Sequence, residues 1–221
     1  METWSIVWEA RDTFVAGFTT TIVLFLLSGI AASLLGCFLV YGLEGPANPA
    51  RRLLVAFING MRMLPFLIFA YLLYYGLPTF GLRLTAWQAG LVGLSVYHGA
   101  YIAEILRGAR LVLPPGPLEA AIAHGYRRGP AFLRIVLPQL VMRSRGVLGN
   151  QFIMCLKDTS FLSIITVAEL TAAANAVQSR YFIPVEAFVV AIGLYWAIGL
   201  AIEAAVRAAR RPGIQRGIEH D

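Results

Sequence analysis

The chain has 221 residues, of which 58% are hydrophobic and only 14% are charged, with a formal net charge of +6. Soluble globular domains carry about 25% charged residues, so this composition excludes a soluble domain, a disordered chain and a coiled coil. Two cysteines, each within apolar sequence, exclude a disulfide scaffold. We therefore predict an all-α, polytopic membrane protein.

Five transmembrane helices are predicted from hydropathy and from the positions of glycine and proline. Uncharged runs of 31, 20 and 20 residues begin at Thr13, Met63 and Leu84, and each reaches the roughly 20 residues that a helix needs to cross a bilayer. Lys157 and Asp158 interrupt the fourth span, which leaves its boundaries uncertain. The predicted spans are 13–41, 53–75, 85–106, 146–165 and 185–206.

Basic residues lie mainly on one side of this topology. Thirteen of the 18 lysines and arginines fall in loop 42–52, in segment 107–145 and in the tail after residue 206, and only three fall in the opposite loops. The positive-inside rule makes the richer side cytoplasmic. The prediction is an extracytoplasmic N-terminus over 1–12, a transmembrane domain over 13–206 and a cytoplasmic tail over 207–221.

Small residues recur at intervals of four in the first span. Ser28, Ala32 and Gly36 share one helix face, which permits close approach of a neighbouring helix. This row predicts helix packing and carries no functional information.

The sequence offers no enzyme motif. His98 and His124 lack an H-E-x-x-H context, and no G-x-S-x-G elbow occurs. The only lysine, Lys157, does not follow a glycine-rich phosphate loop. We predict no metal site, no cofactor and no ATP site on this chain, so an ATP-driven pump would need a separate ATPase polypeptide.

Segment 107–145 is too polar to cross the membrane, yet it is organised. Pro115 and Pro117 favour the start of a helix over 118–124, and Gly125 is suited to end that helix in a left-handed conformation. Pro130 can open a second short helix, which we expect to end at Pro138. The prediction is two short helices joined by a glycine turn.

Several motifs in this order resemble the polar amino-acid permeases, which are membrane subunits of type I ABC importers. The motif set of the coupling loop in that family, E-A-A, G and a distal I-x-L-P, is matched by Glu119, Ala120, Ala121, Gly125, Ile135, Leu137 and Pro138. Stretches 100–108 (AYIAEILRG), 156–160 (LKDTS) and 75–78 (YGLP), together with Arg62 and Pro65, resemble further landmarks. The resemblance covers about residues 10 to 207.

Some positions depart from the family pattern. Met63 and Leu64 stand where Gly and Thr are usual, Phe69 and Pro117 stand where Gln is common, and Arg145-Gly146 replaces Leu-Pro. The substitutions in the second span leave the substrate open.

The resemblance implies a fold, a set of partners and a mechanism. It implies five transmembrane helices with a cytoplasmic coupling helix, in a permease subunit of the bacterial cytoplasmic (inner) membrane. The implied partners are a dimer of cytoplasmic ABC ATPases, which bind the ATP, a second permease, identical or paralogous, and an extracytoplasmic solute-binding protein. The bilayer surrounds the chain, and nucleic acid has no part.

Ionisable side chains within a bilayer cost on the order of 3 kcal/mol each, which makes them functional candidates. Arg62 lies well inside the second span and either contacts substrate or pairs with an acid such as Glu104 or Asp158. Glu104 is expected to pair with an arginine of the loop that follows.

A substrate path for a polar, possibly basic, amino acid is predicted from the polar residues of the second and fourth spans. Helical spacing predicts that Asn150 and Asp158 share one face of the fourth span. The alternative is a self-sufficient secondary transporter or channel in which Arg62, Lys157 and Asp158 form an ion relay. The predicted path residues are Arg62, Asn150, Lys157, Asp158, Thr159 and Ser160.

Overall fold

The computed structural model describes residues 2–44 and 49–208, and every regular element in those ranges is helical. Short 3₁₀ or π-helical segments continue three of the helices: Leu72–Gly76 and Leu77–Phe80 follow α4, Phe132–Val136 follows α7, and Thr159–Ile165 follows α8. The α-helices are α1 (Glu2–Glu9), α2 (Arg11–Gly42), α3 (Pro49–Met63), α4 (Phe66–Tyr71), α5 (Ala86–Leu111), α6 (Gly116–Ala123), α7 (Arg128–Ala131), α8 (Leu137–Asp158), α9 (Leu170–Tyr181) and α10 (Pro184–Ala208).

Three of these helices, α2, α5 and α10, are each long and apolar enough to cross a membrane. Two further spans are bent pairs of helices, which gives five spans if each pair counts once. The predicted all-α polytopic fold is confirmed. Most of the predicted cytoplasmic tail, 209–221, lies outside the described residues.

The second span was predicted as one helix over 53–75, and this was wrong. The helix ends at Met63, and the two helical parts of the span, Pro49–Met63 and Phe66–Phe80, meet at an angle of 104°. Pro65 adopts an extended conformation (φ −68°, ψ 130°) at the break. Proline has no N–H to donate and disfavours a helical conformation in the residue before it, so α3 cannot continue.

The fourth span is longer than predicted, and it begins earlier. Helical structure runs without a break from Arg128 to Ile165, so the second short helix does not end at Pro138. The π-helical turn Phe132–Val136 ends two residues before this proline. A change of hydrogen-bond register there accommodates a residue that would interrupt an α-helical ladder. Arg143 and Arg145 therefore lie on a helix and not in a loop.

Residues 166–184 were predicted as a linker, but they contain a helix. The chain turns at Thr166 (φ +67°) and then forms α9, which is bent by 50° from the preceding helical segment. Glu169 begins α9 by accepting hydrogen bonds from the backbone N–H groups of Thr171 and Ala172, at 2.8 and 2.7 Å. A carboxylate in this position caps the helix dipole.

The α2–α5 pair forms the centre of the bundle. Ser28, Ala32 and Gly36 are all buried, which confirms the packing face predicted from their spacing. A Cβ atom at Gly36 would lie 2.5 Å from Cγ2 of Ile102, so α5 approaches α2 as closely as a glycine allows. A capping box between Thr85 and Gln88 fixes the start of α5. This start agrees with the span predicted from residue 85.

Candidate functional site

The break in the second span is held by two tyrosines of α5. The hydroxyl of Tyr101 donates to the backbone carbonyl of Arg62 at 3.1 Å, and that of Tyr97 donates to the carbonyl of Leu64 at 3.0 Å. The carbonyls at the end of a broken helix have no intrahelical partner and are costly to leave unpaired in a membrane. The tyrosines therefore stabilise the break and fix α3 against α5.

The side chain of Arg62 lies beside the same tyrosines and meets Glu104. Its Nη1 is 3.3 Å from Oε1 of Glu104, and its guanidinium carbon is 5.8 Å from the ring centre of Tyr101. Glu104 also accepts two hydrogen bonds from Arg107, at 2.8 and 2.6 Å. One half-buried carboxylate thus serves two arginines. Of the two acids proposed for Arg62, the structure pairs it with Glu104, and the expected pairing of Glu104 with a following arginine is also present.

Asp158 lies at a different place, between α5 and α8. The carboxylate is buried, and its Oδ2 is 3.3 Å from Nε2 of the fully buried His98. Nδ1 of His98 is 2.7 Å from the amide nitrogen of Gln151, which lies about two helical turns before Asp158 on α8. This pair was not predicted, because from the sequence His98 was judged only by its lack of an H-E-x-x-H context. An ionisable residue in the middle of an apolar span was the signal that could have found it.

The predicted path residues do not form one cluster. Asn150 and Lys157 are exposed on the outer side of α8, whereas Asp158 and Thr159 are buried. Adjacent helical residues point about 100° apart, so Lys157 and Asp158 have different neighbours. The prediction that Asn150 and Asp158 share one face was therefore wrong, because one is exposed and the other is buried.

Lys157 lines a lateral cavity of about 540 Å³ between α8 and α10. Ser160 lies in the same wall and donates its hydroxyl to the carbonyl of Lys157 at 2.7 Å, while Glu203 of α10 lies on the other side. Thr159, in contrast, donates to the carbonyl of Leu156 at 2.6 Å. Arg62, Lys157 and Asp158 thus have separate surroundings, which offers no continuous relay among them.

Glu169 is a buried carboxylate that was not predicted. Besides capping α9, it accepts a 2.7 Å hydrogen bond from the hydroxyl of Tyr195 on α10. The backbone N–H of Leu170 next to it donates to Thr21 of α2 at 3.0 Å. An acid that precedes an alanine-rich run is a helix-start signal, but residues 166–184 were interpreted as a linker.

The E-A-A motif lies on α6, at the end of the bundle where α2 and α5 terminate. Glu119 and Ala120 are exposed, and Ala121 is buried beneath them. Gly125 adopts φ +82°, as predicted, and the N–H groups of Gly125 and Tyr126 donate to the carbonyls of Ile122 and Ala121. This pair of bonds is a Schellman motif, in which a left-handed glycine ends a helix.

The distal part of the motif lies beside α6. Ile135 is in the π-helical turn, and Leu137 and Pro138 begin α8. This π-helical turn contacts α6, so the structure brings both halves of the motif together. Close by, Arg110 of α5 donates to both carboxylate oxygens of Glu44, at 2.6 and 3.3 Å, and ties the ends of α5 and α2.

Comparison with known proteins places these features in a family. The family model for the inner membrane component of binding-protein-dependent transport systems matches residues 32–211. The glutamine transport system permease protein GlnP of Escherichia coli K12 is 30% identical over 94% of this chain and 96% of its own length. The probable glutamine ABC transporter permease protein GlnM of Bacillus subtilis is 30% identical over 84% and 86%.

Solved structures agree with this placement. A crystal structure of an amino acid ABC transporter with histidines superposes with a TM-score of 0.82, at 28% identity over 93% of this chain and 96% of that chain. The chain belongs to the family of inner membrane permease components of binding-protein-dependent ABC transport systems. The family supports the importer interpretation and gives no support to a self-sufficient secondary transporter.

Proposed function

We propose that this chain is the permease subunit of an ATP-driven importer for a polar amino acid. The observation that carries this proposal is α6, a short helix that presents Glu119 and Ala120 at the surface and ends in the Schellman turn at Gly125. The amino-acid substrate is supported by the similar glutamine permeases and by the amino acid transporter of known structure.

Helix α6 is the proposed contact with a cytoplasmic ATPase. Its exposed alanine permits close docking, and the exposed Arg127 and Arg128 beyond the turn can meet acidic groups on the partner. The ATPases bind the ATP, so the permease performs no catalysis and holds no cofactor. A second permease, identical or paralogous, and an extracytoplasmic solute-binding protein complete the complex.

Transport then follows from movement of α6. ATP closes the two ATPases on each other, and α6 moves with the surface into which it docks. Because α6 packs on the start of the long fourth span, its displacement tilts α8 relative to α5. The permease pair switches from an inward-facing to an outward-facing state, and substrate released by the binding protein passes inward.

The proposed substrate path follows the face of α5 that carries Tyr97, Tyr101 and Glu104 beside the break of the second span. Arg62 pairs with Glu104 on this face, and Asp158 pairs with His98, the residue that follows Tyr97 on the same helix. Oppositely charged groups at two positions suit a zwitterion, whose carboxylate and ammonium need separate partners. Lys157, Ser160 and Asn150 contribute to the path only from the outer face of α8, where a second permease can approach.

Reconstitution tests the function. The permease, its ATPase and its binding protein are placed in liposomes, and uptake of radiolabelled L-glutamine is measured with and without ATP. We expect uptake to require ATP and all three components. Glu119→Lys should remove ATPase co-purification, while the matched control Glu9→Lys, at an exposed position on α1, should retain it. ATP-independent uptake by the purified permease would disprove the proposal.

The membrane orientation is tested with reporter fusions. We propose that the N-terminus faces the extracytoplasmic side and the C-terminus the cytoplasm, because the basic residues lie on the side of α6. Green fluorescent protein, which fluoresces only in the cytoplasm, should be bright when fused after Asp221. A dark C-terminal fusion at a normal expression level would contradict this orientation.

A further inference from the structure

His98 is a polar side chain enclosed by the protein near the middle of α5. It is 1% exposed, and its ring lies against the rings of Phe66 and Tyr97, with centroids 6.2 and 5.4 Å away. Its Nε2 has no hydrogen-bond partner of good geometry among the described residues, although Oδ2 of Asp158 is only 3.3 Å away. A buried ring nitrogen without a hydrogen bond costs stability, so the placement of Nε2 beside Asp158 points to a role for this nitrogen.

The partner of Nδ1 decides where the ring proton lies. The amide nitrogen of Gln151 is 2.7 Å from Nδ1, and an amide nitrogen only donates. Nδ1 therefore accepts, and the proton of the neutral ring lies on Nε2. Neutral His98 thus carries its N–H on the nitrogen nearest the Asp158 carboxylate, with Nε2 3.3 Å from Oδ2.

No other basic group offsets Asp158 in the described part of the chain. His98 is the only basic side chain there with a nitrogen within 4.0 Å of this carboxylate. Lys157 points into the lateral cavity, and Arg62 pairs with Glu104. In a low-dielectric interior, a single N–H at this distance reduces appreciably the negative potential that a ligand experiences at the carboxylate.

We infer that His98 determines substrate specificity by offsetting the charge of Asp158, so that the site favours an uncharged polar amino acid over a cationic one. The inference rests on the proposed function, because it takes Asp158 to lie on the substrate path. It narrows the proposed substrate class from polar, possibly basic, amino acids to those with uncharged polar side chains. His98 itself is enclosed and acts through Asp158, as a positioning residue.

The test measures binding to the permease itself, because the solute-binding protein would impose its own selectivity on transport. The permease–ATPase complex is placed in lipid nanodiscs without ATP and without binding protein, and equilibrium binding of radiolabelled L-glutamine and L-arginine is compared. His98→Leu and His98→Phe both remove every side-chain N–H that could reach Asp158, the second with retention of a ring. Ser95→Ala, one turn away on α5, is the control, because among the described residues the Ser95 hydroxyl bonds only to the carbonyl of Leu91.

We expect both His98 variants to raise the affinity for arginine relative to glutamine by about tenfold, and Ser95→Ala to leave the ratio unchanged. A variant that merely destabilised the fold would lower the affinities for both ligands together and would not change the ratio of the two affinities. The shift should vanish when Asp158→Asn is added to either variant.

Two results would overturn the inference, and they are distinguishable. If the ratio is unchanged in both His98 variants while Asp158→Asn weakens binding of both ligands, His98 does not set specificity and the proposed path still holds. If Asp158→Asn binds both amino acids as the wild type does, Asp158 is not on the path, and the proposed site fails together with the inference.

Discussion

The hydroxyl of Tyr101 donates to the backbone carbonyl of Arg62 at 3.1 Å, while the Arg62 guanidinium lies 5.8 Å from the ring of the same tyrosine. One side chain of α5 therefore contacts both the backbone and the side chain of the residue that precedes the break in the second span. The break is thus a defined feature of the fold, because the carbonyls that lack an intrahelical partner there accept hydrogen bonds from α5.

Tyr101→Phe should lower the stability of the permease by about 1 kcal/mol, because the Arg62 carbonyl, at the end of α3, loses its side-chain donor. Tyr71→Phe is the control, since Tyr71 is 49% exposed and its hydroxyl has no hydrogen-bond partner in the described ranges. The measurement is thermal unfolding in detergent, followed by tryptophan fluorescence. Equal midpoints for the two variants would show that the hydroxyl does not support the break.

The closest approach in the bundle gives a second prediction. Gly36→Ala places a methyl group 2.5 Å from Cγ2 of Ile102 and 3.1 Å from the backbone nitrogen of Ala103. Because the backbone of α5 cannot move without disturbing its packing, we expect a loss of about 1–3 kcal/mol. Gly60→Ala on α3 meets no atom within 4 Å and should be neutral or stabilising by up to about 1 kcal/mol. A stable Gly36→Ala variant would mean that α2 and α5 are less tightly packed than described.

The sequence was sufficient for the features that depend on composition and on local spacing. Hydropathy predicted α2, α5 and α10, and the spacing of Ser28, Ala32 and Gly36 predicted the buried face. The left-handed turn at Gly125 was predictable because proline and glycine restrict backbone conformation locally.

The remaining features depend on contacts that local spacing does not contain. Pro65 ends a helix, whereas Pro138 is accommodated by a π-helical turn, and the sequence does not distinguish these outcomes. His98 and Asp158 are 60 positions apart, and their pairing follows from how α5 packs on α8. Glu169 was missed because its helix is short and its partner, Tyr195, comes from another span.

The carboxylate shared by two arginines gives a third prediction. Glu104→Gln removes the charge that Arg62 and Arg107 share, and the two guanidinium groups then face each other without an acid between them. Hydrogen bonds to charged groups contribute about 1.5–3 kcal/mol, and partial exposure reduces this, so we expect a loss of about 1–2 kcal/mol.

The matched control for Glu104→Gln is Glu203→Gln. Glu203 makes a single 3.5 Å contact with Arg207, and both side chains are more than half exposed. An exposed pair one turn apart contributes about 0.3–0.5 kcal/mol, so this variant should unfold almost as the wild type does. Denaturant titration in detergent measures both variants, and similar midpoints would show that the Glu104 network does not stabilise the fold.

The turn that ends α6 gives the last prediction, which joins stability to function. Because Gly125 has φ +82°, any side chain with a Cβ is strained there, and asparagine tolerates this conformation better than alanine or valine. We expect coupling, measured as stimulation of ATPase activity by the loaded binding protein in proteoliposomes, to fall in the order Gly, Asn, Ala, Val. Gly116→Ala, at the start of the same helix in open space and without a positive φ, should retain full stimulation. Among the described residues no atom beyond the chain neighbours lies within 4 Å of a Cβ at Gly125, so packing against other elements does not explain such a loss. Equal stimulation across the series would show that the conformation of this turn has no part in coupling.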